Sequence, residues 1–240
     1  MPVRKTIPPQ ITQTHVLVGL LVVAAFLIGL LFPKNGLQLG GSTTTPTAQQ
    51  PGTVATPAPG QKVSVSNGHL PGLGNKNAKV TIVEWADFRC PFCERLFTDV
   101  EPNLKKDYID TGKVQFYFRH FAFLGPASTV AANAAECANE QNKFWDFHDY
   151  LYKNQPPETD TSMYTVDNLT QIAGNMGMNT DQFKNCLSTN KYQKNIDQDY
   201  QEGQKAGVSG TPATVINGNL VVGAVPYSQF KQTIDQELSK

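Results

Sequence analysis

The motif Cys90-Pro91-Phe92-Cys93 stands between a run that reads as a buried strand and a run that reads as an amphipathic helix. Lys79 to Ala86 (KVTIVEWA) packs β-branched and aromatic residues into a short stretch, as a buried strand does. Beyond the cysteines, Leu96, Phe97, Val100 and Leu104 recur at spacings of one, three and four, which is a helical pattern. Cys90 therefore falls where a strand ends and a helix begins, with Pro91 at the first helical position, where its missing N–H costs nothing. The free N–H groups of that first turn and the helix dipole stabilise negative charge on the Cys90 sulfur. A stabilised thiolate is a competent nucleophile and a good leaving group near neutral pH. Cys93, one turn on, is set to attack a mixed disulfide formed at Cys90 and release the partner.

Other uses of a C-x-x-C are weaker here. Zinc needs two more ligands, and the sequence has no second C-x-x-C and no paired His. A purely structural bridge would close too small a ring to stabilise the chain much. Redox chemistry remains, with no metal and no cofactor expected; no Gly-rich phosphate loop, Ser-His-Asp set or nucleotide fingerprint occurs.

Around the motif the order of elements predicts an α/β fold. Val114 to Phe121 (VQFYFRHF) reads as a second strand after the Thr111-Gly112 turn, completing a βαβ unit with parallel strands. From Pro126 to about Gly207 the pattern is helical throughout, with Thr180-Asp181 offered as the N-cap of the segment that holds Cys186. Ala213 to Ile216 and Leu220 to Gly223 read as strands about an Asn217-Gly218 turn, and a helix from Tyr227 to about Leu238 ends the chain. With the helical block 126–207 taken as an insertion, one compact α/β layer fold is left.

The first 64 residues have a different character. Val16 to Phe32 is apolar or Gly at every position, long enough with its flanks to cross a bilayer. Arg4 and Lys5 before it, against Lys34 after it, favour a cytoplasmic N-terminus. The reading is a cytoplasmic segment 1–13, a transmembrane signal anchor 14–33 and a disordered Pro/Thr/Gly-rich linker 34–64, with a cleaved signal peptide as the rival. Residues 1–64 carry +4 and no acidic side chain, so residues 65–240 carry −4. A mildly acidic globular part argues against nucleic acid as a partner.

From about Asn77 to the C-terminus the chain resembles the DsbA-like, membrane-tethered branch of the thioredoxin superfamily. The residues that carry the likeness are EWADFRCPFC, FRHF, AAECANEQNKFWDFHDYLY and GVSGTPATVING at 207–218. The resemblance implies a thioredoxin-like fold for 65–240 with the helical insertion. It also implies a cis Thr211-Pro212 bond facing the cysteines, where the Thr211 backbone pairs with an extended substrate. Glu84 matches the buried acid that exchanges protons with the resolving cysteine; a strand-edge salt-bridge partner is the other reading. One departure is plain: Pro-Phe stands where the best-known DsbA pattern has Pro-His, so Phe92 brings no cationic help to the thiolate.

Cys137 and Cys186 lie singly in the insertion. An extracytoplasmic location favours pairing, so a structural disulfide between two insertion helices is predicted, with free buried thiols as the alternative. His120 reads as a satisfied strand-end histidine and His148 as part of an aromatic core stripe. Trp85, next to Glu84, is expected to report on the redox state.

The sequence thus predicts a membrane-anchored, extracytoplasmic, monomeric thiol–disulfide oxidoreductase. It would introduce disulfides into exported proteins with free cysteines and be reoxidised by a quinone-linked membrane protein, as family membership implies. A reductase or isomerase on the same site, or a non-catalytic peptide-binding module, are the alternatives.

Overall fold

The computed structural model describes residues 62–240. Five strands lie in the order β1-β3-β2-β4-β5, where β1 is Leu73–Gly74, β2 Val80–Ala86, β3 Val114–His120, β4 Ala213–Ile216 and β5 Asn219–Val222. Only β2 and β3 are parallel, running in register from Val80 opposite Val114 to Ala86 opposite His120; the other pairs are antiparallel. A parallel pair needs a crossover. Here it is α1 (Pro91–Asp99), the short α2 (Glu101–Leu104) and a π-helical turn over Lys105–Ile109. The break between α1 and α2 has a cause: Pro102 has no N–H to give to Thr98 and its ring crowds that carbonyl.

The insertion is helical, as predicted: α3 (Pro126–Asn139), α4 (Phe144–Lys153), α5 (Val166–Asn175), α6 (Thr180–Ser188) and α7 (Gln193–Lys205). The chain then returns through the β4–β5 hairpin, with Asn217 and Gly218 at positive φ, to α8 (Tyr227–Leu238). The N-cap of α6 is Asn179, which accepts from the Gln182 amide; Thr180, expected in that role, is the first helical residue. Asparagine wins because its carbonyl oxygen lies one residue further out, at an extended backbone position from which it reaches the free N–H.

Three apolar clusters hold the layers together. One joins α1, α2 and α8 to the sheet through Leu96, Val100, Phe116, Phe230 and Ile234. A second, with Phe88, Phe118, Phe147 and Phe183, welds the insertion to the cysteine end of the sheet. The third covers the opposite sheet face with Val83, Trp85, Phe121 and Val208. Alternation along β2 sends neighbours to opposite faces. Trp85 accordingly turns away from Glu84, donates its indole N–H to the Asp199 carbonyl at 2.9 Å and lies under the Arg119 guanidinium. The indole and the Glu84 carboxyl therefore lie on opposite faces of the sheet.

The predicted linker boundary also moves. The Val63 amide bonds to the Gly218 carbonyl at 2.8 Å, and Lys62 reaches the Asn217 carbonyl and the Glu237 carboxylate. Residues 62–64 therefore belong to the domain, because Val63 and Val65 alternate onto the apolar cluster beside the hairpin. The anchor 14–33, the segment 1–13 and linker residues 34–61 lie outside the described residues. Among the described residues, no helix is long and apolar enough to cross a membrane.

Candidate active site

Cys90 is the N-cap of α1, with extended backbone and Pro91 next to it, as the sequence pattern required. Both cysteines are free thiols and both are buried, whereas Phe92 between them is half exposed. The peptide bond before Pro212 is cis. Cys90 Sγ lies 3.4 Å from the Thr211 carbonyl oxygen, so the loop that opens β4 faces the reactive sulfur. The Thr211 hydroxyl is buried without a conventional partner.

The two sulfurs have opposite acidities. Cys90 is lowered to about 6, first by a hydrogen bond from the Cys93 thiol, then by Thr211 and by the backbone amides of Cys93 and Phe92. Burial opposes this and loses. Cys93 is pushed well above the ordinary thiol range, mainly by burial and then by its bond to Cys90. One sulfur is therefore ionised at neutral pH and its neighbour holds its proton, which is the division of labour thiol–disulfide exchange needs.

Glu84 stands on β2 opposite Phe118 and Thr214, and is almost wholly buried, with Oε2 unpartnered. Burial raises its pKa well above the carboxylate range, and the charges of Glu101 and Cys90 add to the effect. It forms no salt bridge, so the strand-edge ion-pair reading of Glu84 finds no partner among the described residues.

The structure brings together Cys90, Cys93, Glu84, Thr211 and Pro212. Cys137 and Cys186 form a disulfide, 49 residues apart in sequence, that ties α3 to α6 within the insertion. His148 is a core residue ringed by Phe88, Phe97, Phe118 and Tyr152. His120 is buried at the end of β3, its Nε2 3.5 Å from Glu136. No cluster of side chains able to hold a metal ion occurs among the described residues.

Sequence reasoning missed the residues that hold the cysteine loop in place. Asp87 is buried and accepts from the amides of Arg89, Phe123 and Leu124, while its own carbonyl accepts from the Cys90 amide. Arg89 donates to the carbonyls of Leu124 and Glu158. Gln155 and Tyr164, from the insertion, donate to the Phe88 carbonyl, and Gln155 also reaches that of Cys90. One signal was available: an Asp two residues before a residue that must turn is an Asx-turn candidate. The partners of Arg89 left none, since they are backbone carbonyls far along the chain.

The comparisons agree with this geometry. A thioredoxin family model matches residues 66–236. The "Probable disulfide bond formation protein D" of Bacillus cereus is 39% identical over 173 residues, 70% of this chain and 78% of the relative. The oxidised crystal structure of BdbD from Bacillus subtilis matches with a TM-score of 0.68 and 31% identity, covering 75% of this chain and 97% of that one. The thiol-disulfide exchange protein α-DsbA2 from Wolbachia pipientis matches at a TM-score of 0.58 and 27% identity, over 70% and 86% of the two chains. With that match over most of its length, the chain belongs to the thioredoxin family, among its DsbA-like thiol–disulfide oxidoreductases.

Proposed function

We propose that this chain donates disulfides to exported proteins through the Cys90–Cys93 pair, on the outer side of a membrane to which residues 14–33 anchor it. The observation that carries the reading is the opposed acidity of the two sulfurs, Cys90 at about 6 against a raised Cys93. A thiolate that is stable in the reduced form makes the disulfide form an oxidant. A substrate thiolate attacks Cys90 Sγ of the oxidised pair, the Cys90–Cys93 bond breaks, and Cys93 leaves. The substrate's second thiolate then attacks the substrate sulfur of the mixed disulfide and expels the Cys90 thiolate. Two electrons have passed from substrate to protein. Thr211 and Pro212 hold the extended substrate beside Cys90, and Glu84 manages the Cys93 proton. A quinone-linked membrane protein would restore the disulfide, as in this family.

The reverse direction, reduction or isomerisation, has one feature in its favour: Phe92 is uncharged, and the nearby Arg95 guanidinium is drawn over the Phe92 ring. The reduction potential of residues 62–240 in a glutathione buffer separates the two. A value near or above about −150 mV supports disulfide donation, and one near about −270 mV reverses the direction of flow. In the donating reading both Cys90→Ser and Cys93→Ala abolish oxidation of a dithiol peptide, because neither can hold the Cys90–Cys93 disulfide, whereas Cys93→Ala given a disulfide-bonded peptide retains it as a mixed disulfide on Cys90.

A further inference from the structure

Arg95 is an exposed residue of α1, two positions after Cys93, and its side chain turns back towards the cysteines. Its guanidinium lies over the Phe92 ring, 5.2 Å from the centroid, and donates to the Ala224 carbonyl at 3.1 Å. Both contacts lead to the reactive sulfur. Phe92 stands between the two cysteines. Ala224 follows Gly223, whose amide donates to the Pro212 carbonyl at 2.8 Å, and the Thr211 carbonyl lies 3.4 Å from Cys90 Sγ. One cation is thus held between the two segments that flank the site.

A groove of about 500 Å3 opens there between α1 and the turn from β5 to α8, lined by Arg95, Asp99, Val100, Val225, Pro226 and Tyr227. Asp99, one turn further along α1, is exposed and accepts from the Thr98 hydroxyl at 3.2 Å. Among the described residues neither Arg95 nor Asp99 is joined to an opposite charge. An arginine has five N–H donors in a fork that matches a carboxylate, and one bond to a carbonyl leaves most of them free. The groove therefore has a positive end beside the cysteines and a negative end away from them, with Val100, Val225 and Pro226 making its walls apolar. Four helical residues advance about 6 Å. Two residues of extended chain cover nearly the same distance, and side chains two apart face the same way.

We propose that Arg95 and Asp99 select among substrates, favouring an extended segment with a carboxylate side chain close to the attacking cysteine and a cationic side chain two residues beyond. The inference deepens the function proposed above and rests on it, since the segment is the substrate held beside Thr211 and Pro212. Its acidic side chain meets the Arg95 guanidinium, and its basic one meets the Asp99 carboxylate. The same two side chains in the opposite order bring like charges together at both ends of the groove. Such a mismatch discriminates by repulsion as much as the match does by attraction. Arg95 and Asp99 leave the sulfur chemistry alone; they decide which thiol is presented to Cys90.

The test uses the full chain, oxidised, and one-cysteine peptides of a single composition. Each carries one Glu and one Lys two residues apart, on the N- or C-terminal side of the cysteine, with either the acid or the base nearer to it. Loss of the Cys90–Cys93 disulfide is followed by acid quench and mass analysis. Each rate is divided by that of the same peptide with hydroxyethyl disulfide, which removes differences in thiol acidity. On one side of the cysteine the acid-near peptide should react on the order of 5-fold faster than its base-near partner, and about 0.5 M salt should shrink the ratio. The double variant Arg95→Glu, Asp99→Lys should reverse the preference, whereas Lys184→Gln, in α6 of the insertion, should keep it. Urea midpoints identify a variant that has lost its fold; Arg95→Gln, which should bring the ratio towards one, then takes the place of the double variant. A parent ratio near one on both sides of the cysteine overturns the proposal. So does a preference that survives these variants unchanged. Failure of the cysteine reading itself would show separately, as a parent disulfide that none of the peptides reduces.

Discussion

The Phe123 amide donates to Asp87 Oδ2 at 3.0 Å, joining the loop ahead of Cys90 to the loop after β3 across 36 residues of sequence. The same carboxylate holds the Leu124 and Arg89 amides, so one buried anion sets the position of two loops at the cysteine end of the sheet. Asp87→Ala leaves three amide donors without their partner. Hydrogen bonds to charged groups contribute about 1.5–3 kcal/mol each, and the expected loss is about 3 kcal/mol or more. Urea denaturation measures it. Thiol exchange by the folded fraction should slow as well, because the Cys90 amide hangs from the Asp87 carbonyl.

The reactivity of Cys90 should follow a titration. In the reduced protein, alkylation by iodoacetamide is expected to rise with a midpoint at about pH 6. Cys93 supplies the largest lowering influence, so Cys93→Ala should move that midpoint upwards towards the ordinary thiol value. The sign for stability follows. A folded-state pKa below the unfolded one stabilises the reduced form fully above the unfolded value, and this is lost as pH falls through about 6. The oxidised form lacks the effect. Denaturation of both forms at pH 5 and pH 8 should show the reduced form gaining on the oxidised form at the higher pH.

The Cys137–Cys186 bridge closes a loop of about 50 residues, for which loop entropy sets a ceiling of about 4 kcal/mol. Replacing both with Ala should lower the urea midpoint of the oxidised chain while leaving dithiol oxidation by Cys90 and Cys93 near the parent rate. Mass analysis after alkylation under denaturing, non-reducing conditions should find this pair protected even when the active-site pair has been reduced mildly.

Gly203→Ala pits two effects against each other. Alanine in the last turn of α7 gains at most about 1 kcal/mol of helix propensity. Its Cβ, however, would stand 2.8 Å from Trp85 Cδ1 and 3.0 Å from Phe121 Cδ2. Trp85 is fully buried and pinned through its indole N–H, so it cannot swing aside cheaply. Overpacking of this kind costs typically about 1–3 kcal/mol. The net change should be destabilising, and a stabilised Gly203→Ala chain in urea would contradict it.

Local rules read much of this molecule. Strand composition, the turn at Asn217-Gly218 and the Pro91 position at the start of α1 all concern neighbours along the chain, and each element they predict is present. The final helix begins at Tyr227 and ends at Leu238 as its pattern suggests. Family resemblance, not residue spacing, anticipated the cis bond before Pro212 and the burial of Glu84. What escaped depends on residues far apart in sequence. Asp199 looks like one more polar residue of α7, yet its carboxylate meets Arg119 and the His120 amide in the interior. The two-residue strand β1 was too short to show any period.

The seam at Lys62 and Val63 also decides where the domain is held. These residues dock beside the Asn217–Gly218 turn, next to Thr81, near the start of β2. Cys90 follows the far end of that strand, and seven residues of strand separate the two ends by about 23 Å. Traction on whatever precedes Lys62 therefore loads the Val63–Gly218 contact and the Glu237 ion pair first. The strap would peel from the hairpin before the strain travelled along β4 to Pro212. The sheet has this N-terminal seam at one end and its cysteines at the other.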